Sequence, residues 1–157
     1  MQCLTAPVAV TRIHEKLPKP SSRNFFLADS SYNMRMTTDL CTLSATELLH
    51  LYRTRQASPV EATNAVLARI EKLNPVLNAF NLIAADHALA AAKESEARWM
   101  KGEPKGMVDG VPTSIKDLLL TRGWPTLRGS KTVDPKGPWN DDAPCVARLR
   151  EHGAVLL

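Results

Sequence analysis

The stretch of this 157-residue chain whose residue types and spacing could do chemistry is Gly-Val-Pro-Thr-Ser-Ile-Lys-Asp at 110–117. Lys116 follows Ile115, with Asp117 closing the element and a glycine-containing loop beyond. A lysine acts as a general base only when its ammonium is destabilised, and burial against a sheet does this by penalising the charged form. A strand end would aim the amine rigidly, as proton transfer requires. Strand-end lysines are also commonly plain solvated charges, and spacing alone does not choose. Ser114 lies two residues before Lys116, so on a strand both share a face. A Ser-Lys dyad can be drawn there, but no oxyanion-stabilising loop accompanies it. Ser130, in Arg-Gly-Ser, is expected to hydrogen-bond locally and shape its loop. Asp117 is expected to be structural, capping or pairing near the lysine. Trp124 either lines a pocket or covers the core.

Other chemistries find little support. Cys3, Cys41 and Cys145 are too few and too scattered for a disulfide framework or a metal-ligand spacing, so free thiols in a reducing compartment are expected. His14, His50, His87 and His152 show no paired spacing such as HExxH. No cofactor and no metal is expected. The net charge of +4 is concentrated at the start: five Lys/Arg against two Asp/Glu in residues 1–36, then fifteen against fourteen. A basic surface for nucleic acid would cluster on a folded face instead. No apolar run reaches the roughly 18 residues of a membrane span, and a soluble, cytoplasmic protein is expected.

The elements that must position Lys116 follow from local signals. Residues 1–36 carry Pro7, Pro18 and Pro20 and no sustained periodicity, and read as a leader. Either a basic organellar targeting segment or an upstream start, with Met34 or Met36 as the true beginning, would account for it. Ser44 and Glu47 make a capping box for a helix reaching about Gln56, with Leu48, Leu49, Leu51 and Tyr52 as its apolar side. Ser58 and Glu61 make a second box, with Pro59 at the first helical position. Thr63, Val66, Leu67, Ile70 and Leu73 form its buried stripe, and Asn74-Pro75 is expected to end it. A strand is predicted over 78–83, and an alanine-rich helix from Ala84 to about Lys101, closed by Gly102. A second strand is predicted over 110–117. After a turn-rich stretch, Asp141 or Asp142 should cap a helix running to about His152, stopped by Gly153. Ala154 to Leu157 then reads as an unfinished strand. Helices alternating with short apolar strands indicate an α/β architecture of which this is one part.

The octapeptide at 110–117 resembles the lysine motif of the amidase signature family, in which a Gly-aliphatic-Pro turn leads into a strand ending Lys-Asp. The resemblance extends along the chain. Residues 43–80 look like the family's two opening helices, including the Ser-Pro-Val-Glu box and Leu-Asn-Ala-Phe at 77–80. Thr-Arg-Gly-Trp-Pro-Thr-Leu-Arg-Gly-Ser at 121–130 is similar to the segment after the lysine, and 142–157 to the helix and strand that come next.

The resemblance implies a mixed sheet flanked by helices in the whole enzyme, and a Ser-cisSer-Lys triad acting on a small-molecule carboxamide. A neutral lysine draws a proton from a bridging serine, which relays it from the nucleophilic serine that forms the acyl-enzyme. Backbone N–H groups of a glycine-rich loop stabilise the oxyanion. Lys116 carries over as the base. The family's glycine-serine loop and nucleophile come after the last residue here, so residues 37–157 are expected to be the N-terminal portion of an amidase domain, inactive alone. Two alternatives accompany this reading. One is the ammonia-releasing subunit of a glutamine-dependent tRNA amidotransferase. The other is a non-catalytic remnant whose N-terminal helices self-associate as a homodimer.

Overall fold

The computed structural model describes residues 39–157, so the leader expected over 1–36 lies outside the described residues. The Asp39 carboxylate accepts from the Cys41 N–H and holds a short 3-10 turn at Leu40–Thr42. Helix α1 (Ala45–Thr54) and helix α2 (Pro59–Leu77) then open on the two capping boxes. At the first, Glu47 accepts from the Ser44 N–H at 2.7 Å while Ser44 Oγ accepts from the Glu47 N–H at 3.3 Å. The second repeats this between Ser58 and Glu61 at 2.8 and 3.2 Å. Each box satisfies two of the donors that a helix start leaves orphaned.

Helix α2 departs from expectation at its far end. Pro75 lies inside it, and the helix closes only at Asn78, whose left-handed backbone donates to the Asn74 carbonyl at 2.7 Å. A proline in the last turn removes only the bond its own N–H would have made to residue 71, which is a small loss beside an interior break. Asn74 instead fixes the segment beyond the helix. Its side chain donates to the Phe80 carbonyl at 3.0 Å and accepts from the Phe80 N–H at 2.8 Å. With Phe80 tied back onto the helix end, residues 78–83 form no strand, which corrects the expectation for that segment. Leu73 is 38% exposed, so the buried stripe ends at Ile70.

Helix α3 (Ala85–Lys101) ends on Gly102 at φ 75°, as expected. Ala88, Ala92 and Ser95 are buried on one side of it, and these small side chains let α2 and α3 approach closely. Strand β1 (Pro112–Thr113) pairs in parallel with strand β2 (Val155–Leu156), which follows helix α4 (Pro144–Glu151). Of the predicted strand over 110–117, two residues are paired among those described, Pro112 with Val155 and Thr113 with Leu156. The last bond of the pairing runs from the Leu157 N–H to the Thr113 carbonyl at 3.1 Å. Asp141 and Asp142 do not cap α4: Ala143 holds the cap position without a side-chain bond, and Pro144 enters where no N–H is needed. Asp142 turns to basic partners in the loop beside α4.

Strand β2 is buried on both faces, the usual condition of a parallel strand. Val155 and Leu157 join Ile70, Ala88 and Ala92 on the side of α2 and α3. Ala154 and Leu156 join Val146 of α4, with Ile115, Leu119 and Trp124 packed around them. A third cluster sets Leu48 and Tyr52 of α1 against Ala62 and Val111.

The chain enters β1 through a constriction at Gly110. Its φ is +84°, and a Cβ there would lie 2.6 Å from Ser95 Oγ and 2.7 Å from Pro59 Cγ. Its carbonyl accepts from the buried Tyr52 hydroxyl at 3.2 Å, and its N–H donates to the Gly153 carbonyl at 2.9 Å. Gly110→Ala therefore meets both left-handed strain and overpacking. It is expected to lower the unfolding free energy by about 2–3 kcal/mol, read as a shift of the urea midpoint at unchanged slope.

Candidate active site

Two carboxylates flank the approach to Lys116, and both matter more than their sequence context announced. Asp109, just before the Gly110 constriction, has a completely buried side chain. The Arg98 guanidinium grips it with both Nε, at 2.9 Å, and Nη2, at 2.6 Å, and the Lys105 N–H donates to it at 2.7 Å. Burial alone would raise its pKa, but these hydrogen bonds and the Arg98 charge outweigh it and lower the value. The Ser95 hydroxyl is buried nearby without a hydrogen-bond partner among the described residues, so Arg98 and Lys105 carry the compensation. The Trp99 indole N–H also donates to the Asp109 carbonyl at 3.0 Å. The end of α3 is in this way locked to the entrance of β1. Asp109 did not stand out in the sequence. Its signal is a lone acid between Val108 and Gly-Val, in an apolar setting that no solvated acid prefers.

Past Thr113 the ladder stops, yet the strand-like alternation persists: Ser114 and Lys116 are exposed, while Ile115 and Asp117 are half-buried. Lys116 thus lies outside the paired strand, and burial against the sheet is not what the described residues give it. Its carbonyl accepts from the N–H groups of Leu118 and Leu119, at 2.6 and 3.0 Å, in the turn that comes next. Among the described residues its ammonium makes no hydrogen bond or ion pair. Ser114 and Lys116 share the exposed side without being bonded to each other. Ser130 shapes its own loop as expected, its hydroxyl bonding to Thr132 Oγ1 at 2.8 Å.

Asp117 is the structural anchor the sequence suggested, with partners the sequence did not identify. It accepts from the Leu127 N–H at 2.7 Å, the Gly129 N–H at 3.1 Å and the Asn81 side-chain amide at 2.9 Å. Arg128 and Gly129, at φ 58° and 63°, curl successive N–H groups toward one point, forming a concavity that suits an anion. Desolvation pushes the Asp117 pKa up, but hydrogen bonds from Gly129, Arg128, Leu127 and Asn81 prevail and lower it. A carboxylate with a lowered folded pKa stabilises fully above its unfolded value of about 3.9 and progressively less as pH falls through the folded one. The Leu127 and Gly129 amide proton resonances are expected to titrate together with a midpoint below about 3.9. That transition should vanish in Asp117→Asn.

Lys116 lies on the rim of a shallow depression shared with Asn81, Asp117, Thr121, Trp124 and Thr126. Trp124 does both things weighed for it: it lines this depression and packs on the core around Leu156. His87 meets its ring edge-on at 5.3 Å, and the Arg150 guanidinium stacks over it at 5.6 Å. Asp142 steadies the same loop, accepting from the Arg122 N–H at 2.8 Å and pairing with Arg150 at 3.2 Å. A cavity of about 530 Å³ between Tyr52, Ser58 and Trp99 is lined by no residue of 110–117. Among the described residues no group of three or more His, Cys, Asp and Glu side chains could hold a metal ion. Cys41 and Cys145 are free, and Cys3 lies outside the described residues. No helix among the described residues is long and apolar enough to cross a membrane.

With this geometry in hand, comparison with known proteins is specific. A family model described as Amidase matches residues 61–157. The chain is 39% identical over 131 residues to a putative amidase, AmiD, of Mycobacterium tuberculosis, covering 83% of this chain and 27% of that protein. It is 41% identical over 121 residues to a glutamyl-tRNA(Gln) amidotransferase subunit of Salinispora tropica, covering 76% and 24%. The structure resembles the native peptide amidase of Stenotrophomonas maltophilia, with a TM-score of 0.67 and 30% identity over 74% of this chain and 24% of the other. It also resembles a bacterial aryl acylamidase of the amidase signature enzymes, with a TM-score of 0.63 and 33% identity over 73% and 24%. The chain spans about a quarter of the length of the relatives it matches.

Proposed function

This chain belongs to the amidase family, and from that premise we propose that it supplies the general base of an amide-hydrolysing site, with Lys116 as that base. What supports the reading is that Lys116 lies within the matched residues 61–157 and lines one depression with Asn81, Trp124 and Thr126, next to a carboxylate that ties the lysine segment to the 127–129 loop. In the reaction, Lys116 accepts a proton from a bridging serine as that serine takes one from the nucleophilic serine. The nucleophile attacks the carboxamide carbon, the C–N bond breaks, and ammonia or an amine leaves with a proton. Water then hydrolyses the acyl ester and restores the serine.

Residues 37–157 act as the N-terminal portion of the amidase domain in a cytoplasmic protein, with residues 1–36 either a leader or the product of an upstream start. The other triad members come from outside them, because Ser114 and Ser130 make no bond to Lys116. Residues 1–157 alone are therefore expected to release no ammonia from carboxamides. Self-association through the N-terminal helices is supported by Val76 and Leu77, 85% and 64% exposed at the end of α2.

The test is a hybrid in which residues 37–157 replace the matching part of the Stenotrophomonas maltophilia peptide amidase. The hybrid should hydrolyse a peptide amide while residues 1–157 alone do not. Turnover by residues 1–157 that disappears in Lys116→Ala would contradict the need for outside serines. A second reading rests on the similarity to the tRNA-dependent amidotransferase. Ammonia freed from glutamine only when partner subunits are present would select it.

A further inference from the structure

Lys116 owes its placement to its neighbours, because its own side chain is bonded to nothing among the described residues. On one side, Ile115 packs into the cluster around Val146 and Leu156. On the other, Asp117 reaches into the concavity formed by Leu127, Arg128 and Gly129. Since side chains alternate along an extended segment, anchoring 115 and 117 on one side projects 116 to the other. The loop that receives Asp117 holds Arg128, a non-glycine residue, in the left-handed region at φ 58°. Such a conformation is unfavourable for a residue with a Cβ, and the carboxylate accepting from both flanking N–H groups offsets it. The bond to Asn81 adds a third point, on the segment that Asn74 ties to α2 through Phe80. One carboxylate thus joins the lysine segment, the 127–129 loop and the connection between α2 and α3.

We propose that Asp117 is a positioning residue for the reaction: by holding the 127–129 loop and the 78–83 connection together, it fixes the direction from which the Lys116 amine meets its serine partner. This inference rests on the reading of Lys116 as the base. Proton transfer demands alignment within hydrogen-bond reach, and a displacement of about 1 Å at a reacting group can lower a rate by about a hundredfold. KM should move less than kcat, because the Asp117 carboxylate oxygens are engaged by backbone N–H groups and the Asn81 amide.

The experiment uses the hybrid amidase, with kcat expressed per active site after titrating the nucleophile to completion as acyl-enzyme, so that a loss of folded protein does not count. Asp117→Ala should lower kcat about ten- to hundredfold with KM within about twofold. Asp117→Asn keeps one acceptor oxygen and should lie between the wild type and Asp117→Ala, which also guards against a variant that does not fold. Asp134→Asn, at a carboxylate that caps only its own turn through the Lys136 N–H, should leave kcat unchanged. If Lys116→Ala is inactive while both Asp117 variants keep wild-type kcat per site, the positioning role is overturned and the base assignment stands. If Lys116→Ala keeps its turnover, both fall.

Discussion

Asp109→Ala is expected to lower the unfolding free energy by about 3 kcal/mol, the lower end of the cost of breaking a buried ion pair. The carboxylate is wholly buried, so its removal leaves the Lys105 N–H without its acceptor and the Arg98 guanidinium without its counter-charge. The lower end applies because the Arg98 side chain is 29% exposed and can turn to water. Acid should act in the same direction. Folding lowers the Asp109 pKa, so the stability it contributes is complete above about 3.9 and is lost as pH falls through the lower folded value. Urea denaturation of wild type and variant at pH 7 and pH 3 checks this. The difference between them should be large at pH 7 and smaller at pH 3. A loss under 1 kcal/mol at pH 7 would mean that the lock between α3 and β1 contributes little.

Lys116→Ala is expected to lower kcat/KM of the hybrid amidase about a thousandfold, within the range ascribed to a positioned general base and equivalent to about 4 kcal/mol of transition-state stabilisation. KM should change little, since a proton acceptor acts on the transition state rather than on bound amide. Lys116→Arg should not restore the rate, because a guanidinium stays protonated and cannot take a proton from serine. Ammonia release under steady-state conditions measures all three.

Both capping boxes, the glycines that end α3 and α4, and the three central helices were legible because each depends on residues within a few positions of one another. Segments whose state depends on a distant partner were not. Residues 78–83 have strand-like composition, but the Asn74 side chain, six residues before Phe80, captures the backbone that a strand would need. Residues 110–117 are β-branched enough for a full strand, yet β2 pairs with only two of them. Asp142 looked like a helix cap, and the Arg122 N–H and the Arg150 guanidinium, eight residues along the chain, proved the stronger partners. The site divides in the same way. Lys116 was singled out by its motif, whereas the bonds of Asp109 to Arg98 and of Asp117 to Leu127, eleven and ten residues away, exist only in the folded chain.

The central claim, that Lys116 activates a serine nucleophile, is tested most directly by the rate of acyl-enzyme formation in the hybrid, followed by intact mass after rapid quenching. The acyl adduct is expected to form in the wild-type hybrid and about a thousandfold more slowly in Lys116→Ala, with amide binding preserved. An adduct appearing at the same rate in both proteins would contradict it.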